Sequence, residues 1–274
     1  MRARRPAVIT SLVVVLALLL PSGASAASYP KSMAATGDSI TRAYNTGFFP
    51  YTDNPSASWS TGTSTAVNSQ YLRLLKLNPR IQGHNYNDAV SGAKMANLNG
   101  QMQKAVAQRV QYVTVLMGGN DLCTASVGTM TSVATFRTQL TSAMNTLTSG
   151  LPSVRVQVVS IPNAYRLWAL FKDNFLARSV WAAFGVCQSL LANPLSTAVA
   201  DVARRDAVRQ RNIAFNDALR DTCALYIQCR FDGYAVYNTV FVASDITGRD
   251  YFHPSTSGQA KLASVTWAAG YWPN

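Results

Sequence analysis

Four short apolar runs, Ser32 to Thr36, Asn85 to Val90, Tyr112 to Met117 and Val154 to Ile161, each stop where glycine, proline or a small polar residue begins a loop. Stretches of helical spacing lie between and after them: Ser69 to Leu77, Lys94 to Val110, Val133 to Leu147, Pro194 to Thr222 and Ser257 to Tyr271. A weaker strand candidate lies near Tyr234 to Val242. Strands separated by helices imply an α/β fold, with a parallel sheet covered on both faces. In such a sheet, sites gather at the C-terminal ends of the strands. The segments to inspect are therefore Gly37-Asp38-Ser39, Ser91-Gly92-Ala93 and Gly118-Gly119-Asn120-Asp121, together with the late Asp250-Tyr251-Phe252-His253-Pro254. All four are expected to open on one edge.

The chain begins as an exported protein would. Arg2, Arg4 and Arg5 precede an apolar run from Ala7 to Leu20, then Pro21 and the small residues Ala24-Ser25-Ala26. That pattern reads as a secretory signal peptide over residues 1–26, and the apolar run is short for a membrane span. The mature chain, 27–274, has the length of a single α/β domain with a sizeable core, expected to be a secreted monomer without a transmembrane segment. Loss of the three leader arginines lowers the net charge from +12 to +9. The densest basic group, Arg204, Arg205, Arg209 and Arg211, alternates with Asp201 and Asp206 at helical spacing, which reads as a solvated helix face and not a nucleic-acid site. A basic surface still favours polyanions or anionic lipid.

Cys123, Cys187, Cys223 and Cys229 are an even set in an exported chain, which suggests two disulfides. Three pairings are open. The short loop favours Cys223 with Cys229, which leaves Cys123 with Cys187. Zinc is a poor alternative, because there is no C-x-x-C and the chain has two histidines.

A glycine at a strand end lets the backbone turn sharply and presents the next serine near a helix N-terminus, where N–H groups favour developing negative charge. This makes Ser39 the candidate nucleophile. A serine needs a base, and the base needs a group to hold its tautomer. His253 is the natural base, with Asp250 three residues before it; His84 has no acidic residue at such spacing. An oxyanion could be met by the backbone N–H groups of Ser39 and Gly92 and by the side-chain amide of Asn120.

On these residues the chain resembles the SGNH hydrolases, the GDSL esterase/lipase family, of the bacterial secreted type. The matching positions are Gly37-Asp38-Ser39-Ile40, Gly92, Gly118-Gly119-Asn120-Asp121 and Asp250-Tyr251-Phe252-His253-Pro254, with Ile40 where the family has leucine. The resemblance implies a flavodoxin-like three-layer α/β/α sandwich with a central parallel sheet. It also implies a serine hydrolase that uses no metal or other cofactor, with Ser39, Asp250 and His253 as triad and Ser39, Gly92 and Asn120 as oxyanion hole. No G-x-S-x-G elbow, H-E-x-x-H helix or phosphate loop is present.

Two segments bear on substrate. Residues 163–193 are rich in large apolar groups, and Trp168, Phe171 and Phe175 fall at i, i+3 and i+7, one helical face that packs on the sheet or lines an acyl groove. Residues 48–65 are rich in Ser, Thr, Pro and aromatics, and read as an irregular loop beside Ser39. The reading is a secreted carboxylester hydrolase acting on acyl esters, with lipid esters of the lipase or phospholipase kind first and an interfacial contact with lipid. Its alternatives are a carbohydrate or small-acyl esterase and an inactive lipid- or glycan-binding protein.

Overall fold

The computed structural model describes Met1 and residues 29–272; the leader expected at 1–26 lies outside the described residues. In chain order the elements are β1 (Met33–Gly37), α1 (Gln70–Leu77), β2 (Asn85–Asn87), α2 (Met95–Ala107), β3 (Tyr112–Leu116), α3 (Gly119–Leu122), α4 (Val133–Gly150) and β4 (Arg155–Val158). They continue with α5 (Ala164–Phe171), α6 (Phe175–Ala183), α7 (Gln188–Leu191), α8 (Val199–Cys223), β5 (Cys229–Phe231), α9 (Ala235–Asn238) and α10 (Thr256–Ala268). The five strands form one sheet in the order β2-β1-β3-β4-β5, every neighbour parallel. Met33 pairs with both Asn85 and Tyr112, so β1 and β3 hold the middle and their C-terminal ends lie side by side.

Alternation along the strands separates two cores. Val113, Val115, Val156 and Val158 face Leu98 and Met102 of α2, Leu140 and Met144 of α4, and Phe215 and Leu219 of α8. The Phe136 and Phe215 rings stack there at 4.0 Å. On the opposite face Met33 and Tyr112 meet Tyr71 and Leu74 of α1 and Trp267 of α10, while Leu116 meets Leu262. Each such buried large side chain contributes roughly 1.5–3 kcal/mol. This is the three-layer α/β/α arrangement.

One strand lies elsewhere than expected. The fifth runs over Cys229–Phe231, and the region from Tyr234 begins a single turn of helix, α9. Asp232 explains the difference. Its carboxylate accepts the N–H groups of Tyr234 and Val236 at 3.1 and 3.0 Å, which turns the chain immediately after β5, and Tyr234 itself adopts φ 63°. The Cys223–Cys229 disulfide joins the end of α8 to the start of that strand, and Cys123–Cys187 joins the loop after α3 to the start of α7.

Candidate active site

The turn after β1 is closed by sterics. Gly37 has φ 148°, and a Cβ there would stand 2.4 Å from the Leu116 carbonyl oxygen and 2.5 Å from Thr41 Oγ1, so no side chain fits. Gln101 of α2 grips the same glycine, accepting its N–H at 2.7 Å and donating to its carbonyl at 2.9 Å. Ser39 follows two residues on. The helix expected after it is a single irregular turn: Arg42 N–H reaches Asp38 O at 3.0 Å and Tyr44 N–H reaches Ser39 O at 3.0 Å. Ala43 and Asn45, at φ 50° and 66°, break it. Any charge that develops at Ser39 therefore meets individual N–H groups rather than a long helix dipole.

The four loops meet as the topology demands. Ser39 Oγ lies 2.8 Å from His253 Nε2, and His253 Nδ1 lies 2.7 Å from Asp250 Oδ2. With Nδ1–H donating to the carboxylate, Nε2 is left to accept the serine proton. Asp250 Oδ1 accepts the N–H groups of Phe252 and His253 at 2.9 and 3.0 Å. Asn45 Nδ2 donates to Asp250 Oδ2 at 2.5 Å. Burial pushes the Asp250 carboxyl upward, but the bond and charge of His253, with the backbone and Asn45 donors, outweigh it and hold the group below the usual carboxylate range. Arg249 braces the same loop from outside by donating to the carbonyls of Asn45, Phe48 and Phe49.

On the other side of Ser39, Gly92 takes φ 82° with open space where a Cβ would stand. Among the described residues, no acceptor takes the backbone N–H of Ser39 or of Gly92. Asn120 Nδ2 donates one hydrogen to Ala93 O at 3.0 Å, which fixes the amide against the Gly92 loop and leaves its second hydrogen available. Asp121 locks these loops together by accepting Met95 N–H at 2.8 Å and Thr131 O–H at 2.7 Å. Asp38 is buried next to Ser39 in the chain and accepts Ile40 N–H at 2.9 Å; burial pushes its carboxyl up to about 6, against the pull of that N–H and of His253.

An apolar groove lies beside this cluster, walled in part by the chain neighbours of Ser39, Asn120 and His253. Ile40, Leu122, Ile161, Leu167, Leu170 and Phe252 are among its walls. The three residues expected on one helical face there are divided by the structure. Lys172 to Asn174 separate α5 from α6, because the Asn174 side chain caps a new helix by accepting Ala177 N–H at 3.0 Å. Trp168 turns away, donating its indole N–H to Pro194 O at 2.9 Å under the Arg205 guanidinium. Phe171 is buried against the Tyr251 ring at 5.5 Å, so it supports the loop that carries His253. Phe175 is exposed to solvent. None of the three lines the groove; Leu167 and Leu170, also three residues apart on α5, do. Sequence reasoning also missed Asn45, Gln101 and Arg249. A lone polar residue carries no local signal of a partner distant in the chain.

The profile of the GDSL-like lipase/acylhydrolase family matches residues 33–265. The chain is 25% identical to membrane-associated phospholipase B1 of Mus musculus over 86% of its own length and 19% of that protein. The Rattus norvegicus protein of that name is 23% identical over the same shares. The chain thus spans about a fifth (19%) of the length of the curated relatives it matches. Among solved structures, an α/β hydrolase from the metagenome of Lake Arreo superposes with a TM-score of 0.53 at 18% identity, over 87% of this chain and 94% of that one. The family 3 carbohydrate esterase of Clostridium thermocellum superposes with a TM-score of 0.52 at 13% identity, over 86% and 92%. At such identities the likeness establishes the fold. Because the family profile runs from the first strand into α10, across every loop that builds this site, the chain belongs to the GDSL-like lipase/acylhydrolase family, the SGNH hydrolases, a family of carboxylic ester hydrolases.

Proposed function

We propose that the chain hydrolyses acyl esters of lipids through a Ser39, His253 and Asp250 triad. The observation that carries this is the chain of contacts, 2.8 Å from Ser39 Oγ to Nε2 and 2.7 Å from Nδ1 to Asp250, beside an apolar groove walled by the chain neighbours Ile40, Phe252 and Pro254. Ser39 attacks the ester carbonyl as His253 Nε2 takes its proton, while Asp250 holds the imidazole tautomer and steadies the imidazolium. The oxyanion is met by the N–H groups of Ser39 and Gly92 and by the free Asn120 hydrogen, each donor worth roughly 3 kcal/mol of barrier. His253 then returns the proton to the leaving alcohol, giving an acyl-enzyme, and activates the water that releases the acid. Nothing in these steps calls for a metal.

The groove supports a lipid acyl chain over an acetyl group, because its walls are aliphatic and aromatic side chains with few polar atoms. Export of the chain as one unit from residue 27 fits the leader pattern and the two disulfides. Among the described residues no helix is long and apolar enough to cross a membrane. The test is labelling by an organophosphonate ester probe, with hydrolysis of esters of increasing acyl length. Labelling that survives in Ser39→Ala removes the nucleophile from the mechanism, and a strict acetyl preference replaces the lipid reading with a small-acyl esterase.

A further inference from the structure

Two exposed apolar elements meet beside the groove. The loop from Thr46 to Thr52 carries no charge and leaves Phe48 89% and Phe49 68% exposed, their rings edge to face at 5.1 Å. Tyr51 of this loop reaches the exposed Phe184 ring, 5.6 Å away, at the end of α6. The outer face of α6 is formed by Phe175, Leu176, Ser179, Ala182 and Ala183, with Ala177 and Trp181 buried on the opposite side. A solvent-facing helical stripe is ordinarily charged or polar. This one is uncharged, with Phe175 70% exposed. Leu170, which lines the groove, is itself exposed at the end of α5, just before α6 begins.

Charge singles out the occupant. All twelve acidic residues are aspartates, and six of them, Asp38, Asp88, Asp121, Asp232, Asp245 and Asp250, are buried. Arg205 is the one buried cation among the described residues. The surface is therefore more positive than the formal charge implies. No acidic residue occurs from Asn174 to Ala200, and Asp173, just before, is paired with Lys172 at 2.8 Å. Cations rim the apolar face: Arg178 stands 5.9 Å over the Phe175 ring, and Arg249 is bonded to the carbonyls of Phe48 and Phe49.

We propose that this face seats on an anionic phospholipid surface. Phe48, Phe49, Phe175 and Leu176 enter the headgroup–acyl boundary, Arg178 and Arg249 lie at the level of the lipid phosphates, and Leu170 connects that surface to the groove. Apolar burial and cationic attraction act together in such a contact, and the attraction weakens with salt. The proposal deepens the lipid-ester reading, and it is tested in a form that needs no turnover.

The mature chain bearing Ser39→Ala is sedimented with vesicles of phosphatidylcholine containing about one-third phosphatidylglycerol, and with phosphatidylcholine vesicles alone. Binding to the anionic vesicles is expected, weakened by salt and reduced about tenfold by Phe48→Ser with Phe49→Ser. Phe175→Ser with Leu176→Ser, in a different element, gives an independent reduction. In the Ser39 background the Phe48/Phe49 variant keeps its turnover of a short soluble ester, which also reports its fold. Equal binding to neutral vesicles, or no binding by a chain that still turns over the soluble ester, overturns the surface proposal and leaves the catalytic reading intact. Self-association abolished by the Phe48/Phe49 change overturns it in favour of a second copy of the chain. Loss of probe labelling in the unaltered chain overturns the catalytic reading without touching vesicle binding.

Discussion

Asn45 offers the sharpest test of how the acid of the proposed triad is held. It is buried at φ 66°, donates Nδ2–H to Asp250 Oδ2 and accepts Tyr51 N–H on Oδ1, both at 2.5 Å. Asn45→Gly keeps that backbone conformation and removes both bonds, whereas Asn45→Ala adds a left-handed penalty of about 1 kcal/mol. A hydrogen bond to a buried charge is worth about 1.5–3 kcal/mol. Three donors remain on Asp250, from His253 Nδ1 and from the backbone N–H groups of Phe252 and His253, so the lower end applies. The expected loss is about tenfold in kcat, with KM nearly unchanged, because Asn45 steadies the carboxylate that faces the imidazolium and is not among the groove walls. The Asp250 carboxyl, now held below its ordinary value, moves up toward it. Its contribution to stability is present above the unfolded carboxyl pKa and is lost as pH falls through the folded one. In the variant the contribution is smaller, and its loss is complete at a higher pH. Steady-state kinetics on a soluble ester and urea unfolding at neutral and acid pH read both effects. Wild-type kcat in Asn45→Gly, with an unshifted acid limb, refutes the reasoning.

Burial raises the Asp38 carboxyl from 3.8 to about 6, so the folded chain binds that proton more tightly than the unfolded one. Stability on this account is greatest below about pH 4 and falls as pH rises to about 6, by about 3 kcal/mol in all. Asp38→Asn keeps an oxygen for Ile40 N–H and is expected to be the more stable chain at pH 8 but not at pH 4; melting curves with the same difference at both values refute it. The two disulfides are expected to rank by loop length. Cys123–Cys187 closes a separation of 64 residues and Cys223–Cys229 one of 6, so pairwise replacement by serine should cost about 4 and about 2 kcal/mol from chain entropy. Chemical denaturation of the two double variants reads the order, and a reversed order refutes it.

The sheet and the reacting groups were legible because their signals are local. Apolar runs stopped by Gly37, Ser91, Gly118 and Pro162 mark strand ends, and a parallel sheet must bring those ends to one edge. What escaped rested on side-chain hydrogen bonds that periodicity does not register. Asp232 turns the chain through two of its own neighbours, and so displaced the expected fifth strand to Cys229–Phe231. Nothing near Asn45 announces Asp250, which lies 205 residues away. The face drawn through Trp168, Phe171 and Phe175 failed because helical periodicity assumes an unbroken helix. Asn174 caps a second helix there with its side chain, and a cap competes with helix continuation wherever Asn occurs. Periodicity alone also could not distinguish the Leu167 and Leu170 edge of α5 from the Trp168 and Phe171 edge beside it.

The segment from α5 to α7 is more than a wall for substrate. Trp181 donates its indole N–H to Tyr251 O at 3.2 Å and Phe171 packs on the Tyr251 ring, so the segment braces the loop that carries Asp250 and His253. Cys187 is bonded to Cys123, and Ser189 donates to Leu122 O at 2.7 Å, so it also braces the loop that carries Asn120. Leu167 and Leu170 meanwhile face the groove. One segment thus contacts the loop of Asp250 and His253, the loop of Asn120 and the apolar groove. Packed interiors transmit displacement instead of absorbing it. On the proposed mechanism, substitutions on its inner side should act through the alignment of His253 and Asn120, and changes at the two leucines through the width of the groove. The division between positioning and selectivity runs along the length of a single helix, α5, between side chains one residue apart.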